Sequence, residues 1–309
     1  MIAYCYVVGT ARSGSTLLSR LLHAHPELGT TGEMNGPNRA KDRASYPCSC
    51  GSEIAVCGFF VQLLGSMRER GLQADLDHWP GVFTLEDDWY RNRHPILNRL
   101  SLQGLRSDVL ENARDRLLSG WARRKHAIAR ASRATVAYAE IGLELLGKRR
   151  VWVDATKEPI RLSHLVRVPE LDLYAIHLVR DPRGYVNSMR KTGQPEWSKS
   201  ASEWTWNARN AQRAMRRLPE SRRMVLRYES LVDDPVASIN AIAKFLGVRG
   251  HDSYDFQAGG HHLIGNRMRL HDMRELRRDE RWKADLSADA LREIARIVGP
   301  EARAYGYDL

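Results

Sequence analysis

Residues 9–16, Gly-Thr-Ala-Arg-Ser-Gly-Ser-Thr, constrain this chain more than any other stretch. The apolar run Tyr4-Cys5-Tyr6-Val7-Val8 precedes them and reads as a buried strand. Leu17-Leu18-Ser19-Arg20-Leu21-Leu22 follows and reads as a helix with an apolar face. Strand, glycine-bounded loop and helix form the context in which backbone N–H groups and the positive end of a helix dipole cradle a phosphate. The spacing is that of a nucleotide-binding P-loop, but Ser15 stands where a lysine would reach the β- and γ-phosphates of a triphosphate. No strand-end Asp for Mg²⁺ is evident either, so kinase or NTPase chemistry lacks its main charge stabiliser. The loop suits a phosphate of lower charge, held by amides and by the hydroxyls of Ser13, Ser15 and Thr16. A strand-to-helix turn without a ligand is the competing account.

The rest of the chain alternates strands with helices. Leu28–Thr31 reads as a short connection, with an extended path open to it. Residues 59–147 read as helices over Phe59–Gly71, Trp89–Leu102 and a broken Ser107–Leu146. In the last of these, Val109, Ala113, Leu117 and Trp121 recur at helical spacing, which predicts a core-facing stripe. Further strands are expected at 150–154, 171–179 and 224–228, the middle one near-continuously apolar and so central in a parallel sheet. Asp234-Pro235 opens a helix that Gly247 closes, and a last helix runs from Ala288 to Val298. This pattern predicts an α/β fold of P-loop type: three layers, a central and mainly parallel sheet flanked by helices, with a helical insertion at about 59–147. The 309 residues are expected to form a single domain.

The formal net charge of +11 favours an anionic partner. The basic residues are spread along the chain without a nucleic-acid-binding signature, so a phosphorylated small molecule is expected rather than nucleic acid. No apolar run reaches transmembrane length and no signal peptide precedes the first strand. The expectation is a cytoplasmic protein with no stable membrane insertion and reduced thiols, its oligomeric state left open. Cys48, Cys50 and Cys57 lie close together in an irregular segment. They could bind zinc with a fourth ligand such as a histidine, form a local disulfide, or remain free thiols. Their Cys-x-Cys spacing is not a standard zinc knuckle.

Arg180 ends the apolar strand at the edge where α/β folds bind ligands, with Ser188 one to two helical turns on. A guanidinium and a hydroxyl converging there can hold a second phosphate, each charged hydrogen bond contributing about 1.5–3 kcal/mol. The competing account is a structural ion pair of Arg180 with Asp181 or Glu203. Two phosphate sites at separate strand ends suit a 3′,5′-bisphosphate nucleotide rather than ATP.

These residues resemble the sulfotransferases that use 3′-phosphoadenosine-5′-phosphosulfate (PAPS). Arg-Ser-Gly-Ser-Thr-Leu-Leu from Arg12, then His25-Pro26 and Gly32-Glu33, is similar to their 5′-phosphosulfate loop, closest to the branch of tyrosylprotein and many bacterial sulfotransferases. Arg180-Asp-Pro-Arg followed by Asn187-Ser188-Met189 resembles their 3′-phosphate motif, and Tyr228-Glu229-Ser230-Leu231 a segment near the bound nucleotide. Residues 265–269 and 280–283, with the closing Tyr305-Gly-Tyr-Asp, resemble the late cofactor-covering segments. The motif matches run from residue 4 to 308, and residues 35–147 add little to them.

The resemblance implies in-line transfer of a sulfuryl group from PAPS to a hydroxyl. The acceptor is a small molecule, glycan or peptide that the sequence does not identify. Glu33 falls at the position of the catalytic glutamate and is the expected general base, with a structural pairing to Arg39 or Lys41 as its alternative. Lys157 would stabilise or protonate the leaving oxygen, and Arg12 would hold the 5′-phosphate and the sulfonate. His261 and His262 are reserve bases, and this chemistry needs no metal. Two other readings remain open, a P-loop small-molecule kinase and an inactive nucleotide- or carbohydrate-binding protein of the same fold.

Overall fold

The computed structural model describes residues 1–83, 85, 95–102, 107–191, 193, 196–271 and 276–309. Five strands, β1 (Ile2–Gly9), β2 (Leu28–Gly32), β3 (Val151–Lys157), β4 (Leu171–Val179) and β5 (Arg223–Arg227), make one parallel sheet in the order β2-β3-β1-β4-β5. The connections carry the helices. α1 (Ser15–His23) links β1 to β2. α2 (Gly58–Glu69), α3 (Pro95–Leu102), α4 (Asp108–Leu117) and α5 (Ala122–Leu145) lie between β2 and β3. α6 (Pro159–Leu165) precedes β4, and α7 (Pro182–Arg190) and α8 (Trp197–Met215) follow it. The chain closes with α9 (Tyr228–Asp233), α10 (Pro235–Phe245), the single turn α11 (Trp282–Asp285) and α12 (Ala288–Ala304).

Period-2 alternation along β1 builds the three layers. Tyr4, Tyr6 and Val8 join Trp152 and Leu173 in a core completed by Phe60 and Leu63 of α2, Tyr138 of α5, Leu162 of α6 and Ala211 of α8. Cys5 and Val7 face the other way, against Leu17 and Leu21 of α1, Leu231 of α9 and Ile239 of α10. Both faces of the central strand are therefore apolar, as its unbroken hydrophobic run requires.

Two expectations change, at residues 28–32 and along α4. Leu28–Gly32 is an edge strand rather than a connection, paired in parallel with β3. Thr30 and Thr31 are β-branched, but the two glycines of Leu-Gly-Thr-Thr-Gly are depleted in strands and the stretch has one apolar side chain. The helix expected over Trp89–Leu102 is present from Pro95; its residues 89–94 lie outside the described ones. The stripe on α4 points outward: Val109 is 76% and Leu117 84% exposed, while Glu111 is 2% exposed and meets Arg213 of α8 at 3.3 Å and Arg217, just past that helix, at 2.5 Å. Helical spacing identifies a face but not its direction, and here two arginines attract the acidic face inward.

Beneath the sheet end lies a buried polar knot. The carboxylate of Asp154, fully buried on β3, accepts from Arg161 Nε at 2.8 Å, from Tyr4 Oη at 2.8 Å and from the Thr156 amide at 3.0 Å. Asp154→Asn leaves the Arg161 guanidinium buried without a counter-charge, a defect worth about 3–5 kcal/mol. In urea unfolding the midpoint should drop accordingly at an unchanged slope; an unaltered midpoint would show that the knot carries no stability.

Candidate functional site

Register brings the site together before any side chain is considered. β1 lies between β3 and β4, with Val8 opposite Lys157 and Gly9 opposite Leu178, two residues before Arg180. At the outer edge Gly32 pairs with Asp154, which sets Glu33 beside the end of β3. All of these chain reversals occur at the carboxyl edge of a parallel sheet, the edge at which such folds bind ligands.

A cavity of about 590 Å³ opens there. Arg12, Gly14, Ser15, Thr16, Glu33, Lys157, Arg180, Ser188 and Tyr228 all line it. Of the loop residues singled out from sequence, Ser13 does not. It is fully buried behind the loop, and its Oγ, like that of Thr10, has no hydrogen-bond partner among the described residues. α1 begins at Ser15, and its first amides have no intrahelical acceptor, so they remain for a ligand.

The backbone is strained at this edge. Arg12 (φ 61°) and Lys157 (φ 76°) are non-glycine residues in the left-handed region, a conformation costing on the order of 1–2 kcal/mol each. Gly14 needs to be glycine on two grounds: its φ is 95°, and a Cβ there would lie 2.5 Å from Cδ2 of Tyr228.

At one end of the cavity, Glu33 and Lys157 form a buried ion pair, with Nζ 2.5 Å from Oε1. Gly265 packs on that carboxylate so closely that a Cβ would lie 3.1 Å from Glu33 Cγ. At the other end, Arg180 is 6% exposed and lies over the Tyr228 ring, 4.6 Å from its centroid. Arg180 Nη1 donates to the Arg12 carbonyl at 3.0 Å, so the phosphate loop and the end of β4 are directly joined. Its Nη2 donates to Asp279 at 2.9 Å, and Asp181 pairs with Arg183 instead. Hydrogen bonds from Arg281 and then Arg180 hold the Asp279 carboxyl well below the usual carboxylate range. Burial raises the Tyr228 phenol.

Neither reserve histidine lines this cavity. His261 Nδ1 contacts Ser49 Oγ at 2.7 Å, and His262 Nδ1 faces Cys57 Sγ at 3.4 Å. Glu229 braces the Arg180 turn: one carboxylate oxygen accepts from the Asp181 amide at 2.9 Å, the other from Tyr307 Oη at 2.7 Å. Tyr46 and Asp279 also line the cavity, and neither stands in a recognised sequence motif. Gly265, Asn266, Met268 and Arg281 belong to the late segments noted above.

The sequence profile of the sulfotransferase family matches residues 5–49 and 72–252. The chain belongs to that family. It is a sulfotransferase, an enzyme of sulfuryl transfer. Solved structures with the same fold include the sulfotransferase domain of the Synechococcus PCC 7002 olefin synthase, at 19% identity and a TM-score of 0.53, covering 100% of this chain and 96% of that one. The sulfotransferase domain of the curacin biosynthetic pathway aligns at 17% identity and a TM-score of 0.52, covering 100% and 99%. Among curated proteins none matches the chain significantly by sequence. No helix among the described residues of this sulfotransferase is long and apolar enough to cross a membrane.

The Asp279 carboxylate, set on the buried Arg180 guanidinium, fills a position open to an anion in its absence. Asp279→Asn removes its charge while Arg180 keeps its contact to Arg12. Titration with inorganic phosphate, followed by thermal shift, should show several-fold tighter binding in that variant. Equal or weaker binding would mean that Asp279 does not compete with anions.

Proposed function

We propose that PAPS is the sulfuryl donor and that the cavity grips it at both ends. The observation that carries this reading is the joining of two anion-binding groups, the amide loop and Arg180, in one cavity that also holds the Glu33–Lys157 pair. The fit is supported by volume, since about 590 Å³ lies in the range of roughly 300–1,000 Å³ usual for small-ligand sites. It is supported also by the first amides of α1, which lack intrahelical acceptors where Ser15 and Thr16 line the cavity.

Arg12 and the amides of residues 13–16 hold the 5′-phosphosulfate end, with Ser15 and Thr16 adding hydroxyls. Arg180 and Ser188 hold the 3′-phosphate, and Tyr228 supports the Arg180 guanidinium from its ring face. Bound PAPS supplies an electrophilic sulfur and a phosphate leaving group. Glu33 takes the proton of the acceptor hydroxyl as the acceptor oxygen bonds to sulfur. The bond from sulfur to the 5′-phosphate oxygen breaks, its electron pair stays on that oxygen, and Lys157 stabilises the charge. The products are a sulfate ester and adenosine 3′,5′-bisphosphate, with the proton on Glu33. The resemblance of Gly32-Glu33 to the tyrosylprotein branch and the 2.5 Å contact between Glu33 and Lys157 support these two roles.

The acceptor enters, in this reading, through a second cavity of about 350 Å³. Asn35 and Glu158 line it, each within two residues of Glu33 or Lys157. Phe83, Leu102 and Trp206 give it an apolar wall, and Asn207, Asn210 and Arg213 a polar one. Phe83 and Leu102 come from the segment between β2 and β3, consistent with a helical insertion shaping the acceptor site within a single domain. The volume favours a small molecule or the end of a chain over a folded partner.

Adenosine 3′,5′-bisphosphate at one hundred times its dissociation constant should stabilise the protein by about 2.7 kcal/mol, whereas ATP with Mg²⁺ should shift its melting temperature little. The reverse order would favour a kinase. Glu33→Gln should retain bisphosphate binding and lose most sulfuryl transfer, a fall of about 10²–10⁴-fold in kcat. Near-normal turnover in that variant would remove Glu33 from the role of base.

A further inference from the structure

Away from both cavities, three thiols and an imidazole converge. Cys48 Sγ, Cys50 Sγ, Cys57 Sγ and a ring nitrogen of His262 all lie within 4.8 Å of one another. We infer that these four residues bind one Zn²⁺ as a closed, structural Cys₃His site, independent of the donor and acceptor assignments above.

The spacing argues for a metal over the alternatives. Zn–S bonds of about 2.3 Å and Zn–N bonds of about 2.0–2.1 Å in a tetrahedron give S···S edges of about 3.8 Å and S···N edges of about 3.5 Å. Cys50 and Cys57 Sγ are 3.6 Å apart, Cys57 Sγ lies 3.4 Å from His262 Nδ1, and Cys48 Sγ lies 3.8 Å from it. A disulfide needs about 2.05 Å. Thiolates are soft donors that select zinc, and four protein ligands leave no open position for substrate, which marks a structural site.

The surrounding backbone is built to aim these ligands. The Cys48 amide donates to Ser52 O at 2.9 Å and the Gly51 amide to Cys48 O at 3.1 Å, closing a tight turn with Gly51 at φ 92°. That turn directs Cys48 and Cys50 to one point. Cys57 directly precedes α2, whose positive end favours a thiolate. The His262 ring stacks on Phe59, with centroids 4.9 Å apart and planes 9° apart. Ser49 fastens the histidine segment to the turn: its amide donates to Leu263 O at 3.1 Å and its Oγ to His261 O at 2.9 Å. Such outer contacts fix ligand orientation as they do in known metal sites. Cys48 and Cys57 are buried, whereas Cys50 is exposed and gives an ion its way in. On binding, the three thiol protons leave to solvent, and the neutral imidazole completes the set.

Zinc here joins two segments about 205 residues apart in the chain. Just beyond His262, the Ile264 amide donates to Thr31 O at 2.8 Å and Ile264 O accepts from the Glu33 amide at 3.1 Å. The metal therefore fastens the strand-like stretch that backs Glu33.

Full-length protein purified without a metal-affinity step should contain about one zinc per chain by elemental analysis. Cobalt put in its place should give the intense visible absorption of a tetrahedral thiolate site. His262→Asn and Cys50→Ser, the latter at the exposed rim, should each lose tight zinc binding in competition with a chromogenic chelator. Should either variant misfold, the wild-type protein still decides: zinc should protect thiols from a thiol reagent and raise the melting temperature, and a chelator should reverse both. A reduced wild-type protein that takes up no zinc from a stoichiometric supply overturns the inference. So does undiminished zinc affinity in both variants, or a chelator that changes neither thiol reactivity nor melting temperature.

Discussion

A single buried carboxylate decides where the end of β3 lies. Asp154 is tied to Arg161, Tyr4 and Thr156, and so binds β3 to α6 and to the central strand β1. Arg161 extends the knot by donating to the Gly81 carbonyl and contacting Met34 Sδ at 3.7 Å. Such a pair is costly to desolvate and contributes chiefly through the penalty for disturbing it. Its position explains why that cost is tolerated. Three residues beyond Asp154 comes Lys157, held at positive φ, and Glu33 follows the strand residue paired with Asp154. A looser strand end would let the lysine relax into ordinary backbone and part the ion pair.

The cavity is organised around opposing charges held at its ends. At one end a lysine faces a glutamate at 2.5 Å; at the other an arginine faces an aspartate at 2.9 Å. In the function proposed above, the first pair would take up a proton and then stabilise a departing oxygen, and the second would exchange the Asp279 carboxylate for a phosphate. In both, low exposure makes each charge depend on its partner, so ligand entry redistributes contacts that already exist.

How much of this was legible follows from how local each feature is. The strand, glycine-bounded loop and helix of residues 2–23, β4 leading to Arg180, and the capped helix at Asp234-Pro235 are written in consecutive residues, and the fold agrees with them. β2 escaped notice because its pairing with β3 supplies what its composition does not. The α4 stripe misled because Glu111 faces arginines that lie some hundred residues later in the sequence. Arg12, Glu33 and Lys157 were marked by resemblance to the family. That Glu33 and Lys157 would touch each other follows only from the β2-β3-β1 strand order.

The same reasoning links the cysteine cluster to the cavity beside Glu33. Residues 261–269 have little regular structure of their own, so local hydrogen bonding cannot fix their path. They are held from outside at successive points. His262 meets the thiols, Ile264 pairs with Gly32, and Gly265 exchanges hydrogen bonds with Tyr46 Oη at 2.9 Å. Arg269 then returns to the carbonyls of Gly265 and Pro47. Tyr46 and Gly265 both line the cavity. A wall made of irregular chain keeps its shape only if its anchors are stiffer than the wall. Among these anchors the cluster is the one whose strength a metal would raise most, because each ligand it fixes removes freedom from a segment with no helix or sheet to restrain it.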